Sequence, residues 1–224
     1  MMMLAVVALL ASVPDAEAVV LVEASRARVE QLGTYRVRFT KEERLESGWV
    51  GPQVMNLVVR ERPFAVLADV VSGPNQGRRF LYDTTQNKAQ LRVREPGLLG
   101  VLPLWIGIDS ALTRDDTRHP VTELGYAFVL RMIERDARLA AGAFTIVEDT
   151  DTGRAVERCL IATAPSGVAG LYAQRTRLCF DASSKLLTKV EVWDALGAVE
   201  RLTFELVEAN VKGREVFSRE ANGL

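Results

Sequence analysis

The sequence predicts an α+β protein that is mainly antiparallel β: one large curved sheet, a half-barrel of about ten strands, with two or three helices on its concave side. Three observations carry this expectation. Short segments alternate apolar and polar residues, as strands with one dry and one wet face do. TYRVRFT is the clearest, with Tyr35, Val37 and Phe39 alternating with Arg36, Arg38 and Thr40. The connections between such segments are too short for parallel crossovers, and so many strands in one sheet should curl.

In chain order, residues 19–32 predict a helix, with Leu21, Ser25, Val29 and Leu32 at helical spacing and Gly33 as its stop. After the strand at 35–40, strands are expected near 53–62, 64–71, 78–84 and 89–95. Pro63, then Gly73-Pro74 with Gly77, then Gln86-Asn87 separate them. A helix is expected over 122–141: Pro120 precedes it, Thr122 can cap it, Gly142 ends it, and Leu124, Phe128 and Met132 share a face beside Val129 and Ile133. Strands near 143–149 and 155–163 then meet through the turn Asp151-Thr152-Gly153. Further strands follow near 174–181, 185–194 and 198–207. In the last, Leu202, Phe204 and Leu206 alternate with Arg201, Thr203 and Glu205. A curved sheet with helices laid across its apolar face buries this pattern.

The chain has 224 residues, 48% hydrophobic and 25% charged, ordinary for one globular domain. Its 28 basic and 29 acidic residues give a net charge of −1. No basic excess exists to neutralise a phosphate backbone, so no nucleic-acid partner is expected. No catalytic motif is recognisable, and neither cofactor nor metal is expected. His119, the only histidine, sits beside Arg118 and before Pro120 and reads as structural or surface. Without a Gly-x-Ser-x-Gly elbow it has no nucleophile to serve. Asp109, Asp115 and Asp116 fit no EF-hand spacing and read as a solvated loop. Gly73, Gly77 and Arg78-Arg79 lack the strand–loop–helix context of a phosphate loop. Glu42 and Glu43, among Lys41 and Arg44, read as edge or outer-face charges. Strand parity sets Arg60 with Asn56 and Val58, opposite Met55, Leu57 and Val59, so Arg60 is expected to point outward into a salt bridge or an outer layer.

The N-terminus reads as an address. Residues 4–11, LAVVALLA, have the length of a signal-peptide core, and Ala16-Glu17-Ala18 supplies a small-x-small cleavage pattern after Ala18. The division expected is a signal peptide over 1–18 and one domain over 19–224. No Lys or Arg precedes the apolar run, and the competing reading is a buried N-terminal helix. No later segment reaches the about 20 apolar residues of a membrane-spanning helix, so an integral membrane protein is not expected. Export makes the protein periplasmic and permits disulfides. If Leu160 lies opposite Leu178, Cys159 lies opposite Cys179, within reach of a bridge. The alternative is two free buried thiols.

Residues 97–106, GLLGVLPLWI, are strongly apolar yet interrupted by Gly100 and Pro103. A solvated loop of this composition would expose a large apolar patch, so the segment is expected to be buried. It either packs permanently into the mouth of the sheet or acts as a movable lid, with Leu102 and Trp105 on its inner side.

Five blocks in order carry a resemblance: FTKEER (39–44), Gly51-Pro52-Gln53, VVRERPFAV (58–66), GRRFLYD (77–83) and RHPVTELG (118–125). Together with RLCFD (177–181) and residues 204–210 they resemble an uncharacterised bacterial family, a domain of unknown function. That family is associated with the superfamily of the lipoprotein carrier LolA, which includes the LolB, LppX and RseB types. The resemblance spans nearly the whole mature chain. It implies a half-barrel roofed by helices whose hollow receives acyl chains of a lipid or lipoprotein. On this sequence the candidate contacts on the concave face and lid are Tyr35, Val37, Phe39, Leu57, Leu102, Trp105, Leu124 and Phe128. The alternative is a filled-core module that docks another envelope protein. Large side chains crowded under the helix 122–141 would favour the second, a continuous cleft the first.

Overall fold

The computed structural model describes residues 16–114, 117–140, 144–149, 156–213 and 215–224. The apolar run 4–11, Asp115-Asp116, Gly142 and the turn Asp151-Thr152-Gly153 lie outside them. Among the described residues are strands β1 (Thr34–Leu45), β2 (Gly48–Arg60), β3 (Ala65–Ser72), β4 (Arg79–Asp83), β5 (Gln90–Arg94), β6 (Leu104–Gly107), β7 (Thr145–Asp149), β8 (Glu157–Thr163), β9 (Arg175–Asp181), β10 (Leu187–Asp194) and β11 (Gly197–Glu208). The helices are α1 (Ala16–Gln31), α2 (Ala111–Arg114) and α3 (Tyr126–Leu139), with short 3-10 turns at Gly97–Gly100 and Val121–Glu123.

All strands belong to one antiparallel sheet in the order β6-β5-β4-β3-β2-β1-β11-β10-β9-β8-β7. Two meanders run from the edges and meet where β1 pairs with β11. The link from β6 to β7 carries α2 and α3 from one edge to the other. The expected fold class holds, with one strand more than the sequence suggested.

Alternation along the strands builds the core. Val37 pairs with Leu57, Phe39 with Met55 and with Phe204, and all are buried on the inner face. Against that face α1 sets Leu21, Val22 and Val29, and α3 sets Tyr126, Phe128, Val129, Leu130 and Ile133. Under α3 the aromatic rings close up: Tyr35–Tyr126 centroids lie 5.3 Å apart, Tyr126–Phe204 5.0 Å and Phe39–Phe204 5.0 Å. Such contacts add about 0.5–1.5 kcal/mol each beyond their buried area.

The outer face has its own layer. Val58, Ala65, Leu67 and Leu81 are buried there beneath Phe217 and Leu224 of the C-terminal segment. That explains an apolar residue at the outward position of Val58. Arg60 points outward as expected, bonding Asp83 at 3.1 Å and lying 5.0 Å from the Phe217 ring. Cys159 pairs with Cys179 in the expected register, Leu160 with Leu178, and the two cysteines form a disulfide.

Two expectations are corrected. Segment 97–106 is not buried as a whole: Leu102 is 73% exposed, and Val101 and Leu104 are exposed too. Backbone pairing holds its second half, since Leu104–Gly107 adds to β5 as the edge strand β6. Among its described side chains Ile106 enters the core; Trp105 takes the outward parity and packs against Arg92 and Arg219. The other correction concerns the cap of α3. Thr122 falls in a 3-10 turn, and α3 begins after Gly125. Its N-terminal donors are met from the sheet instead. Tyr126 N donates to Tyr35 Oη (3.0 Å), which donates to Glu61 Oε1 (2.6 Å). A Cβ at Gly125, where φ is 98°, would stand 2.6 Å from that hydroxyl, so the contact requires glycine.

Burial pushes the Glu61 carboxyl up, against the opposing hydrogen bonds from Tyr35 and Ala127. A folded-state value above the unfolded one contributes stability that is present below the unfolded value and lost as pH rises through the folded one. Glu61→Gln cannot ionise and keeps an acceptor. Urea midpoints measured from pH 4 to pH 8 should therefore shift progressively in favour of Glu61→Gln as pH rises. Glu61→Ala, which loses the acceptor, should cost about 1–2 kcal/mol throughout. Parallel midpoint curves for wild type and Glu61→Gln would remove the linkage.

Candidate functional site

Beside the aromatic stack, toward β6, the inner face opens into a cleft. Its floor is Met55, Val70, Phe80, Leu91, Val93 and Ile106, and Leu112, Val121 and Leu124 form its far wall. The floor follows from parity along β2 to β6, whose inward positions remain apolar. Lys41, Arg78, Glu95, Thr117 and His119 bring polar groups to its sides. The free space amounts to about 80 Å³.

A buried polar cluster forms the inner end of this cleft. Glu43 of β1 and Glu200 of β11 are direct partners across the central strand pair, 1% and 0% exposed. Both face the core because alternation continues past the apolar run: Tyr35, Val37 and Phe39 are followed inward by Lys41 and Glu43, and Phe204 and Leu202 lead back to Glu200. The outer-face reading of Glu43 is thus corrected; that of Glu42 stands, paired with Arg201 at 3.3 Å. The stretch after α2 supplies the rest. Thr117 Oγ1 and Arg118 N donate to Glu43 Oε1, each at 3.3 Å, and Lys41 Nζ bridges Glu43 Oε2 (2.7 Å) and Thr117 Oγ1 (2.8 Å). His119 then enters the interior. Its Nδ1 lies 2.8 Å from Glu123 Oε2, and its Nε2 lies 2.8 Å from Glu200 Oε1 and 3.0 Å from Tyr172 Oη. Tyr172 Oη in turn donates to Glu200 Oε2. Burial alone pushes the imidazole down; the hydrogen bond to Glu123 and the close contact with Glu200, with the charges of Glu200 and Glu43, outweigh it and hold His119 up at about 9. The structural reading of His119 holds in part, but its setting is a buried charge network rather than the surface.

Of the candidate lipid contacts, Tyr35, Val37, Phe39, Leu57 and Phe128 are buried in the packed half of the core. Leu124 alone lies on the cleft wall. Leu102 and Trp105 line neither. Sequence reasoning missed Met55, Val70, Phe80, Leu91 and Val93 as cleft residues, and Glu43, His119 and Glu200 as one cluster able to hold a cation, with ligand atoms all within 4.8 Å of one another. The same parity rule that found β1 would have reached Lys41, Glu43 and Glu200; their polarity hid them.

An open antiparallel half-barrel with helices across its inner face and an apolar cleft beside them is the class this geometry defines. The chain matches the family described as a protein of unknown function, DUF1571, over residues 32–216, and it belongs to that family. Among solved structures, the lipoprotein LppX of Mycobacterium tuberculosis is similar at 12% identity and a TM-score of 0.50, over 89% of this chain and 98% of that one. LprF of Mycobacterium bovis is similar at 14% identity, TM-score 0.47, over 90% and 97%. A putative outer membrane lipoprotein-sorting protein domain from Vibrio parahaemolyticus is similar at 12%, TM-score 0.41, over 91% and 98%. At 12% identity the likeness to LppX is one of fold alone. No curated protein matches. Among the described residues no helix is long and apolar enough to cross a membrane.

Proposed function

We propose that this is a non-catalytic lipid- or lipoprotein-binding protein of the cell envelope, a periplasmic carrier or sensor that takes an acyl chain into the cleft beneath β2 to β6. The cleft carries this reading. Its floor is apolar, and each buried methylene is worth about 0.8 kcal/mol. At its rim Leu112, exposed and also lining the cleft, stands in the same connection as the exposed Val101, Leu102 and Leu104, an apolar margin suited to meeting lipid. About 80 Å³ is well below the roughly 300–1,000 Å³ of ordinary ligand pockets. A chain therefore enters only if the wall after β6, residues 108–114 with Leu112, moves outward. In this reading the lid is that span, and the site is the cleft rather than the face under α3. Export with cleavage after Ala18 belongs to the proposal; it leaves Leu21, Val22, Ser25 and Val29 of α1 on the core.

The second reading, a filled-core module docking another envelope protein, is favoured by the aromatic crowd under α3. One experiment separates the two. The mature chain, expected to begin at Val19, is purified from an envelope fraction and titrated with a dansylated fatty acid below its micelle concentration. Saturable binding is expected, weakened at least about tenfold by Val93→Phe, which fills the cleft at a cost to the fold of about 1–3 kcal/mol. A folded wild type that takes up no probe would end the carrier reading in favour of the docking module.

A further inference from the structure

We propose that Glu43, His119 and Glu200 form a binding site for one divalent transition-metal ion of the Zn²⁺ class. Three independent observations point there. Their ligand atoms lie within 4.8 Å of one another on three separate segments, β1, β11 and the connection after α2. The set is one imidazole nitrogen and two carboxylates, a mixture that suits Zn²⁺ and Mn²⁺ over Mg²⁺ or Ca²⁺. Next, Glu200 Oε1 is fully buried and finds no aligned donor among the described residues. Its nearest cationic neighbour is His119 Nε2 at 2.8 Å, the contact that an ion on Nε2 would take over. Finally, these three residues border a partly open space of about 20 Å³ with Lys41, Thr117 and Glu123 on its polar side and Phe39, Phe128 and Phe204 on its apolar side, about the volume of a single water or ion.

The surroundings match a metal-bound histidine. Glu123 Oε2 holds Nδ1 at 2.8 Å, which leaves Nε2 as the ligand atom, the carboxylate–histidine arrangement that orients the ring and raises its basicity. Two directly opposed buried carboxylates are costly unless cations balance them. Among the described residues the cations in contact with the two carboxylates are Lys41, at 2.7 Å from Glu43, and His119 itself. A metal at Nε2 replaces the imidazole proton with a stronger and more central positive charge, while Lys41 stays on Glu43 Oε2 and Glu43 Oε1 turns to the ion. Tyr172 Oη lies 3.0 Å from Nε2 and donates to Glu200 Oε2.

Because His119 is the only histidine of the chain, the test is direct in untagged protein. The chelator-stripped chain is titrated with Zn²⁺, then Mn²⁺, in competition with a chromophoric chelator. One ion per chain is expected, with Zn²⁺ bound more tightly than Mn²⁺. His119→Gln should lose the site. Glu123→Gln, which keeps all three ligands and sits partly at the surface, should weaken Zn²⁺ binding about 10–100-fold, so the result does not depend on His119→Gln folding. Co²⁺ should give the absorption of a four-coordinate nitrogen–oxygen site in wild type. No binding at micromolar Zn²⁺, or equal affinity in wild type, His119→Gln and Glu123→Gln, would overturn the proposal and leave the cluster a structural charge network.

Discussion

Lys41→Met is expected to destabilise the protein by about 3–5 kcal/mol, the usual loss when one partner of a buried ion pair is removed. The Lys41 side chain is 13% exposed and that of Glu43 2%, with 2.7 Å between Nζ and Oε2. Methionine preserves most of the stem and its packing, so the loss is electrostatic. Glu43 would be left with Thr117 Oγ1 and Arg118 N as donors, directly opposite Glu200 on the neighbouring strand. It then has to ionise unpaired or take up a proton. Glu43→Gln in the same chain removes that demand and should recover most of the loss, which a double-mutant cycle measures by urea unfolding. If Lys41→Met unfolds within about 1 kcal/mol of wild type, the pair does not hold the centre of the sheet together.

This centre was the least legible part of the sequence, for a definable reason. Strands were recognised where apolar and polar residues alternate, and the inner face was taken to end where apolar residues end. Yet parity continues through Lys41 and Glu43, and β1 keeps its direction for its full length to Leu45. The outward reading of Glu43 came from its charge, which is a good guide only where no compensating charge arrives from elsewhere. Here Glu43 is met by Lys41 on the same strand face, while Glu200 is met by His119 from a distant segment, and no local pattern announces that second meeting. Asp136 teaches the same lesson. It stands in the last turn of α3, almost fully buried, and accepts hydrogen bonds from Tyr172 N at 3.0 Å and Ala173 N at 3.2 Å. Helical spacing finds α3 but not this node.

What was legible is what alternation and turn chemistry determine. The Cys159–Cys179 register followed from matching Leu160 to Leu178. The outward direction of Arg60 followed from parity alone, and Phe217 then accounts for Val58. Segment 97–106 was misjudged because its composition was weighed as area needing cover. An edge strand can hold exposed apolar side chains through backbone hydrogen bonds to its neighbour, and β6 does so. Leu104 of β6 and Leu102 before it are exposed and line no part of the cleft, and the expected lipid contacts move from the packed half of the core to the floor of β2 to β6.

Removing the disulfide is expected to cost about 3 kcal/mol and to loosen the polar cluster with it. The two cysteines are 20 residues apart, and closing a loop of that length restrains the unfolded chain by about 3 kcal/mol in the chain-entropy account. Both side chains are buried, so Cys159→Ala with Cys179→Ala leaves only a small void. The closed loop contains Tyr172, which reaches His119 and Glu200, and Ala173, which is tied to α3 through Asp136. Opening it frees the connection between β8 and β9 to fluctuate. The amide of Tyr172, a donor to Asp136, should therefore exchange faster than in wild type, while amides in the centre of β1 should slow or quicken only with global stability. Urea unfolding and hydrogen exchange on the double variant measure both effects, and thiol titration of denatured, unreduced wild type should find no free thiol. Midpoints that agree within about 1 kcal/mol, or unchanged exchange at Tyr172, would mean that the strand ladder and Asp136 fix this loop without help from the bridge.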